Sequence, residues 1–243
     1  MEFRTNAVLV LRRLLNRLGF DLVRSLDEDD LLRRRLQLLK SRGVNVVFDV
    51  GAHAGQYGQT MRAAGYDGRL VSFEPLPEPF AILESASSTD GDWEVVNVAL
   101  GDGEKEVVMH VAGNSQSSSV LQMLPAHQDA DARSRYVGEC RVPMTTLEKV
   151  VSERVGADDR LFVKVDAQGY EEQVLAGAGD ELARITGLQL ELSLVHLYEG
   201  QALLHQMVSR LMDEGFVLVS IEPGFWDRRT GQLLQADGIF FRL

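Results

Sequence analysis

One short segment constrains this chain more than any other. The apolar run Val46-Val47-Phe48 passes into Asp49-Val50-Gly51-Ala52-His53-Ala54-Gly55, and Gln56 to Ala64 then reads as helix. A buried strand that enters a Gly-rich turn and leaves as a helix opens a βαβ unit, whose next strand returns parallel to the first. Glycines in such a turn let the backbone approach a ligand and free amide groups to bind it. The spacing is D-x-G-x-x-x-G, not the G-x-G-x-x-G of dinucleotide-binding turns. An acid at the strand end suits a cationic ligand better than a pyrophosphate.

The rest of the chain extends the pattern. Strands are expected at Val46 to Phe48, Leu70 to Phe73, Trp93 to Leu100, Leu161 to Val165, Leu188 to Leu192, Phe216 to Ile221 and Gly238 to Phe241. Helical patterns fall between them at Pro79 to Ser87, Thr145 to Val151, Tyr170 to Ala176 and Ala202 to Glu214. This predicts a doubly wound α/β domain with a seven-stranded, mostly parallel sheet. Two places break the alternation. Glu104 to Val111 alternates like an extra strand and leads into the polar loop Gly113 to Ser119, which reads equally as acceptor contact or plain connection. Glu222 to Asp237 carries turn signals but no helix, so the last two strands should pair antiparallel.

At 243 residues the chain sits near the upper end for one domain. We expect a catalytic domain over 44–243 and an N-terminal helical cap over 1–43. Helices are expected in the cap from the stripe Val8, Leu11, Leu15 and Leu18, ending at Gly19, and from Asp27 to Arg42, ending at Gly43. A net charge of −11 argues against nucleic acid as a partner. The one cysteine, Cys140, leaves no intramolecular disulfide, so the cytoplasm is the expected compartment. Residues 1–26 run against the acidic balance, with five arginines facing Glu2 and Asp21. That basic segment reads first as a cap on the catalytic domain and second as a peripheral contact with the inner face of the plasma membrane.

Two further acids stand where ligands of open α/β sheets bind, beyond the carboxyl ends of the strands. Glu74, in Phe73-Glu74-Pro75, follows the second strand and can accept both hydrogen bonds of a ribose diol. Asp166, in Lys164-Val165-Asp166, follows the fourth. Together with Asn97-Val98-Ala99-Leu100-Gly101-Asp102, Thr146-Leu147-Glu148 and Val163 to Glu171, these pieces come in the order that resembles the FkbM family of S-adenosylmethionine-dependent O-methyltransferases, over roughly residues 44–243. The chain departs from the family at Glu148, where Asp is usual, and at Gln168-Gly169, where a Glu-Gly pair is usual.

The resemblance implies a Rossmann-like class I methyltransferase fold and S-adenosylmethionine as cofactor. It implies a cofactor pocket shaped by Asp49, Gly51, Ala52, His53, Gly55, Gln56 and Tyr57, with Glu74 and Pro75 at the ribose and Ala99 and Leu100 against the adenine. It also implies an acceptor hydroxyl on a glycan or glycolipid, such as a deoxyhexose. A hydroxyl needs a base or an acidifying metal, for which the candidates are Asp166, Glu191 and His196. Asp166 with Glu191 could contribute to a Mg²⁺ site, although two carboxylates are few for one. Two other readings stay open: an NAD-dependent oxidoreductase, because Glu74 would serve an NAD ribose equally well, and a catalytically silent relative that binds a glycan or partner.

Overall fold

The computed structural model describes residues 28–242. The expected helix at Val8 to Leu18, its end at Gly19, and the cap or membrane role of residues 1–26 lie outside the described residues. Residues Arg35–Leu243 form one compact unit, which carries both sheets and the cleft described below.

The helices are α1 (Glu28–Ser41), α2 (Gln56–Ala63), α3 (Pro77–Ser87), α4 (Pro125–Ala130), α5 (Leu147–Arg154), α6 (Glu171–Ala176) and α7 (Leu204–Asp213). The strands are β1 (Val46–Val50), β2 (Arg69–Phe73), β3 (Trp93–Val96), β4 (Ala99–Gly101), β5 (Lys105–Ala112), β6 (Tyr136–Thr146), β7 (Leu161–Val165), β8 (Ile185–Ser193), β9 (Phe216–Pro223) and β10 (Gln235–Arg242).

Seven strands form the main sheet in the order β3-β2-β1-β7-β8-β10-β9. β3, β2, β1, β7 and β8 are parallel, and β10 runs antiparallel to both β8 and β9. The chain moves outward from β1 in one direction, then from β7 in the other. Right-handed crossovers therefore place helices on both faces. The central strands β1 and β7 are buried along their whole length, which is why they read as unbroken apolar runs. On one face Val46, Phe48 and Val50 with Leu161, Val163 and Val165 join Leu147, Val174, Leu188 and Phe240 in a core cluster.

Two expectations need correction. Trp93 to Leu100 is not one strand: β3 ends at Val96, and β4 leaves for a separate three-stranded sheet ordered β4-β6-β5. The break falls at Asn97, whose amide donates to the carbonyls of Glu74 and Pro75 at 2.8 and 3.0 Å and ties the chain to the loop after β2. β6, the eleven-residue partner of β5, was not foreseen. Smaller differences follow from caps. Thr146 accepts a hydrogen bond from the Lys149 amide, so α5 begins at Leu147, after this cap, and runs on to Arg154.

Candidate active site

The parallel strands end at a common edge, and a cleft of about 970 Å³ opens there. Its floor follows the sheet: Glu74 lies just past β2, Gly51 past β1, Asp166 past β7 and Glu191 on β8. β10 is antiparallel, so its beginning reaches the same edge and adds Gln235 and Asp237.

The turn after β1 is held very tightly. Gly51 has φ +73°, and a Cβ built there would lie 1.9 Å from the backbone oxygen of Asp166. Only glycine allows β1 and β7 to close at this point. The amides expected to be free are used within the protein. Gly51 and Ala52 both donate to the Phe73 carbonyl, and the His53 amide donates to Glu74 Oε2 at 2.8 Å. These three amides therefore give no anion nest of the kind that cradles phosphate.

Asp49 does not face the cleft. It stands in register between Ser72 on β2 and Lys164 on β7, is fully buried, and pairs with Lys164 Nζ at 3.1 Å. The acid expected to meet a cationic ligand is thus matched by a cation of the chain itself. Lys164 reaches the cleft and also donates to the Gly51 carbonyl at 3.1 Å. Burial raises the Asp49 carboxyl above its usual value, and Lys164 offsets part of that rise. Burial pulls the Lys164 ammonium down, but Asp49 and Asp166 outweigh it and hold the group protonated.

Glu74 is 5% exposed and lines the cleft. Its Oε1 accepts the Leu76 amide at 2.8 Å, and burial pushes its pKa up to about 7 despite the two backbone donors. An apolar recess of about 40 Å³ is formed by Pro75, the residue after Glu74, with Val98, Ala99, Leu100, Met109 and Tyr170 among others. His53, Gln56 and Tyr57 also line the cleft, and Gly55 packs beneath it with φ +85° against Leu83 and Trp93. His53 Nε2 meets Ser115 Oγ at 2.7 Å, and Asn114 to Ser118 form part of the cleft wall. The loop is pinned further by Ser119 Oγ, which donates to the Gln168 carbonyl at 2.7 Å.

The carboxylates across β7, β8 and β10 are bridged by amides. Gln168 Nε2 donates to Asp166 Oδ1 at 2.7 Å and to Glu191 Oε2 at 3.1 Å, while its Oε1 accepts the Tyr198 hydroxyl at 2.8 Å. Gln235 Nε2 donates to Glu191 Oε2 at 2.6 Å. Asp237 lies directly opposite Glu191 in the β8–β10 register. Burial, reinforced by Asp166, lifts Asp237 to about 6, and burial with the neighbouring acids raises Glu191 as well. His196 is exposed and is not among the residues lining the cleft, unlike Asp166 and Glu191. Among the described residues, no three or more His, Cys, Asp or Glu side chains converge as a metal cluster.

Several lining residues went unnoticed in the sequence. Asp237 and Gln235 could have been found by following the antiparallel expectation to its consequence, because that reversal brings the start of the last strand to the cleft. His127, on the short α4, gave no signal at all.

A sheet of this order with one reversed strand near its end, and a cleft across the carboxyl edge, defines a class I methyltransferase fold. The chain belongs to the FkbM methyltransferase family: the model of the methyltransferase FkbM domain matches residues 49–218. It is similar to the 2-O-methyltransferase NoeI of Sinorhizobium fredii, with 24% identity over 198 residues that cover 79% of this chain and 80% of NoeI. It is also similar to the AMB antimetabolite synthetase AmbE of Pseudomonas aeruginosa, 25% identical over 174 residues that cover 60% of this chain. That match spans only 8% of AmbE. Among solved structures, a precorrin-6y methyltransferase from Geobacter metallireducens matches with 11% identity and a TM-score of 0.45, covering 92% of this chain and 94% of that one. An rRNA methylase from Streptococcus thermophilus matches with 7% identity and a TM-score of 0.42, covering 82% and 87%. No helix among the described residues is long and apolar enough to cross a membrane.

Proposed function

We propose that this methyltransferase uses S-adenosylmethionine to methylate a hydroxyl group, and that the hydroxyl belongs to a sugar on a glycolipid or related glycan. The observation that carries the reading is the union, in one cleft, of the Gly51–Glu74 cradle with the carboxylate row Asp166, Glu191 and Asp237. The cradle suits this cofactor in three respects. Glu74 offers a carboxylate to a ribose diol, the Ala99–Leu100 recess offers an apolar slot to an adenine, and the turn lacks the phosphate nest that a dinucleotide needs.

When bound, S-adenosylmethionine supplies an electrophilic methyl group. The chain's own groups orient the acceptor and handle its proton. A sugar hydroxyl is a weak nucleophile until it is deprotonated, and a carboxylate within hydrogen-bond reach can take that proton. Asp166 is the accessible member of the row, and Gln168 and Lys164 fix its position. Glu191 and Asp237 lie alongside it, and burial shifts both carboxyl groups toward the protonated form.

Calorimetric titration with S-adenosylhomocysteine and with NAD tests the cofactor, with binding of the first alone expected. A mass-spectrometric comparison of glycolipids from cells with and without the gene tests the acceptor, with a difference of one methyl group expected. Asp166→Asn should abolish transfer while S-adenosylhomocysteine still binds. Full turnover in that variant removes Asp166 from the chemistry.

A further inference from the structure

The cleft extends well beyond the cofactor cradle. Glu74 and Asp237 belong to strands four places apart in the order β2-β1-β7-β8-β10, a separation of roughly 19 Å at the usual strand spacing. The cleft volume lies at the upper end of the range for a single small-molecule site. If the cradle holds the cofactor, as the reading above has it, the β8–β10 side remains for the acceptor.

That side has a built aromatic wall. Phe225 and Trp226 line the cleft from the connection between β9 and β10. The connection is a closed hairpin: Leu234 and Gln235 amides donate to the Phe225 carbonyl at 2.8 and 3.0 Å, Asp227 N donates to Gln232 O at 2.9 Å, and Trp226 bridges Leu233. Phe225 is anchored against His127, with ring centroids 5.1 Å apart. Trp226, the next residue, remains 49% exposed on this fixed support. An indole left open on a cleft wall retains a large contact area that a ligand can cover at low entropic cost. His127 itself is 3% exposed and its ring also packs edge-on against Tyr198, so the support beneath Phe225 is held from two sides.

We propose that the Trp226 wall is the acceptor subsite and that it takes a neutral oligosaccharide, with one pyranose ring stacked on Trp226 and its hydroxyls facing Asp237, while a neighbouring ring presents the hydroxyl to be methylated. A pyranose combines an apolar C–H face with a rim of hydroxyls, and this side of the cleft combines an exposed indole with the Asp237 carboxyl. A strongly anionic ligand fits less well. Of the arginines lining the cleft, Arg35 is paired with Glu222 and Arg133 with Asp131, which leaves Arg228 exposed at the rim.

The test uses the full chain, loaded with S-adenosylhomocysteine, on an array of mono- to tetrasaccharides containing fucose, rhamnose or N-acetylglucosamine. Binding should favour oligosaccharides over monosaccharides. Trp226→Ala should weaken it by about tenfold and Trp226→Phe should restore most of it. Trp226 is exposed, so neither change should disturb folding or S-adenosylhomocysteine affinity. Glycan binding unchanged in Trp226→Ala overturns the proposal, and so does binding to no glycan by protein that still takes S-adenosylhomocysteine. Loss of S-adenosylhomocysteine binding in the unaltered chain is a different result: it strikes the cofactor reading itself.

Discussion

Glu74 shows how a single side chain can be set for its ligand before the ligand arrives. Both oxygens already accept a backbone amide, from His53 and from Leu76, and each keeps a lone pair that a ribose hydroxyl could use. Burial nevertheless holds the group at about 7. Below that pH the carboxyl carries a proton and cannot accept both hydroxyls, so binding must first release it. S-adenosylhomocysteine affinity should therefore fall by about tenfold per pH unit below 7 and level off above it. Calorimetry across that range checks the slope. Glu74→Gln should bind more weakly and flatten the pH dependence; a flat profile in the unaltered chain would remove Glu74 from the ribose site.

At the level of strands and turns, Gly51 and Gly65 separate two roles of a left-handed residue. Gly65 has φ +95° with nothing within 4 Å of a built Cβ, so Gly65→Ala should cost only the strain of that conformation, about 1–2 kcal/mol. Gly51→Ala adds a collision with the Asp166 carbonyl and should cost about 3 kcal/mol or more, with loss of cofactor binding. Urea unfolding of the two variants side by side measures the difference, and equal costs would mean β1 and β7 can part freely. The buried strands and the Gly51 turn were legible in the sequence because burial writes apolar runs and the turn demands glycine. β6 was not legible. Gly138, Glu139 and Arg141 carry no apolar signal and Pro143 is a poor strand former, so the buried face shrinks to Val142 and Met144, too short a pattern to stand out, and pairing with β5 holds the rest extended. The split at Asn97 was hidden for the opposite reason, since Val95, Val96, Val98, Ala99 and Leu100 look continuous while one side-chain amide redirects the chain. In the site, the positions of Glu74, Asp166 and Glu191 at strand ends could be read directly. The direction of Asp49 depended on its neighbours in register, and Asp237 depended on a reversed strand.

For the whole molecule, the buried acids that make the cleft also set the pH at which the fold is most stable. Glu74 and Glu171 are raised from 4.5 to about 7 and Asp237 from 3.8 to about 6, burial being the largest cause for each. Between the ordinary and the raised values the folded state holds protons that the unfolded chain has released. These three acids make stability fall as pH rises through that window, from about pH 4 to about pH 7, and they outnumber the buried His127, which burial lowers to about 4 and which acts in the opposite sense over the same range. Half-buried pairs near the surface such as Asp90 with Arg62, whose hydrogen bond lowers the aspartate, act in the opposite sense and only at lower pH, and such pairs carry little weight. A net charge of −11 at pH 7 adds self-repulsion in the same direction as the buried acids. Thermal unfolding should accordingly show its highest midpoint near about pH 5 and a lower one at about pH 8. Salt at about 0.5 M screens the repulsion between surface charges but leaves buried carboxylates largely unscreened, so part of the decline should survive it. A midpoint that climbs steadily to pH 8 in salt would show that these acids are not held protonated in the fold. Ligand binding should oppose the decline, because S-adenosylhomocysteine selects the ionised Glu74. The stabilisation it confers should grow with pH over the range where the free protein weakens.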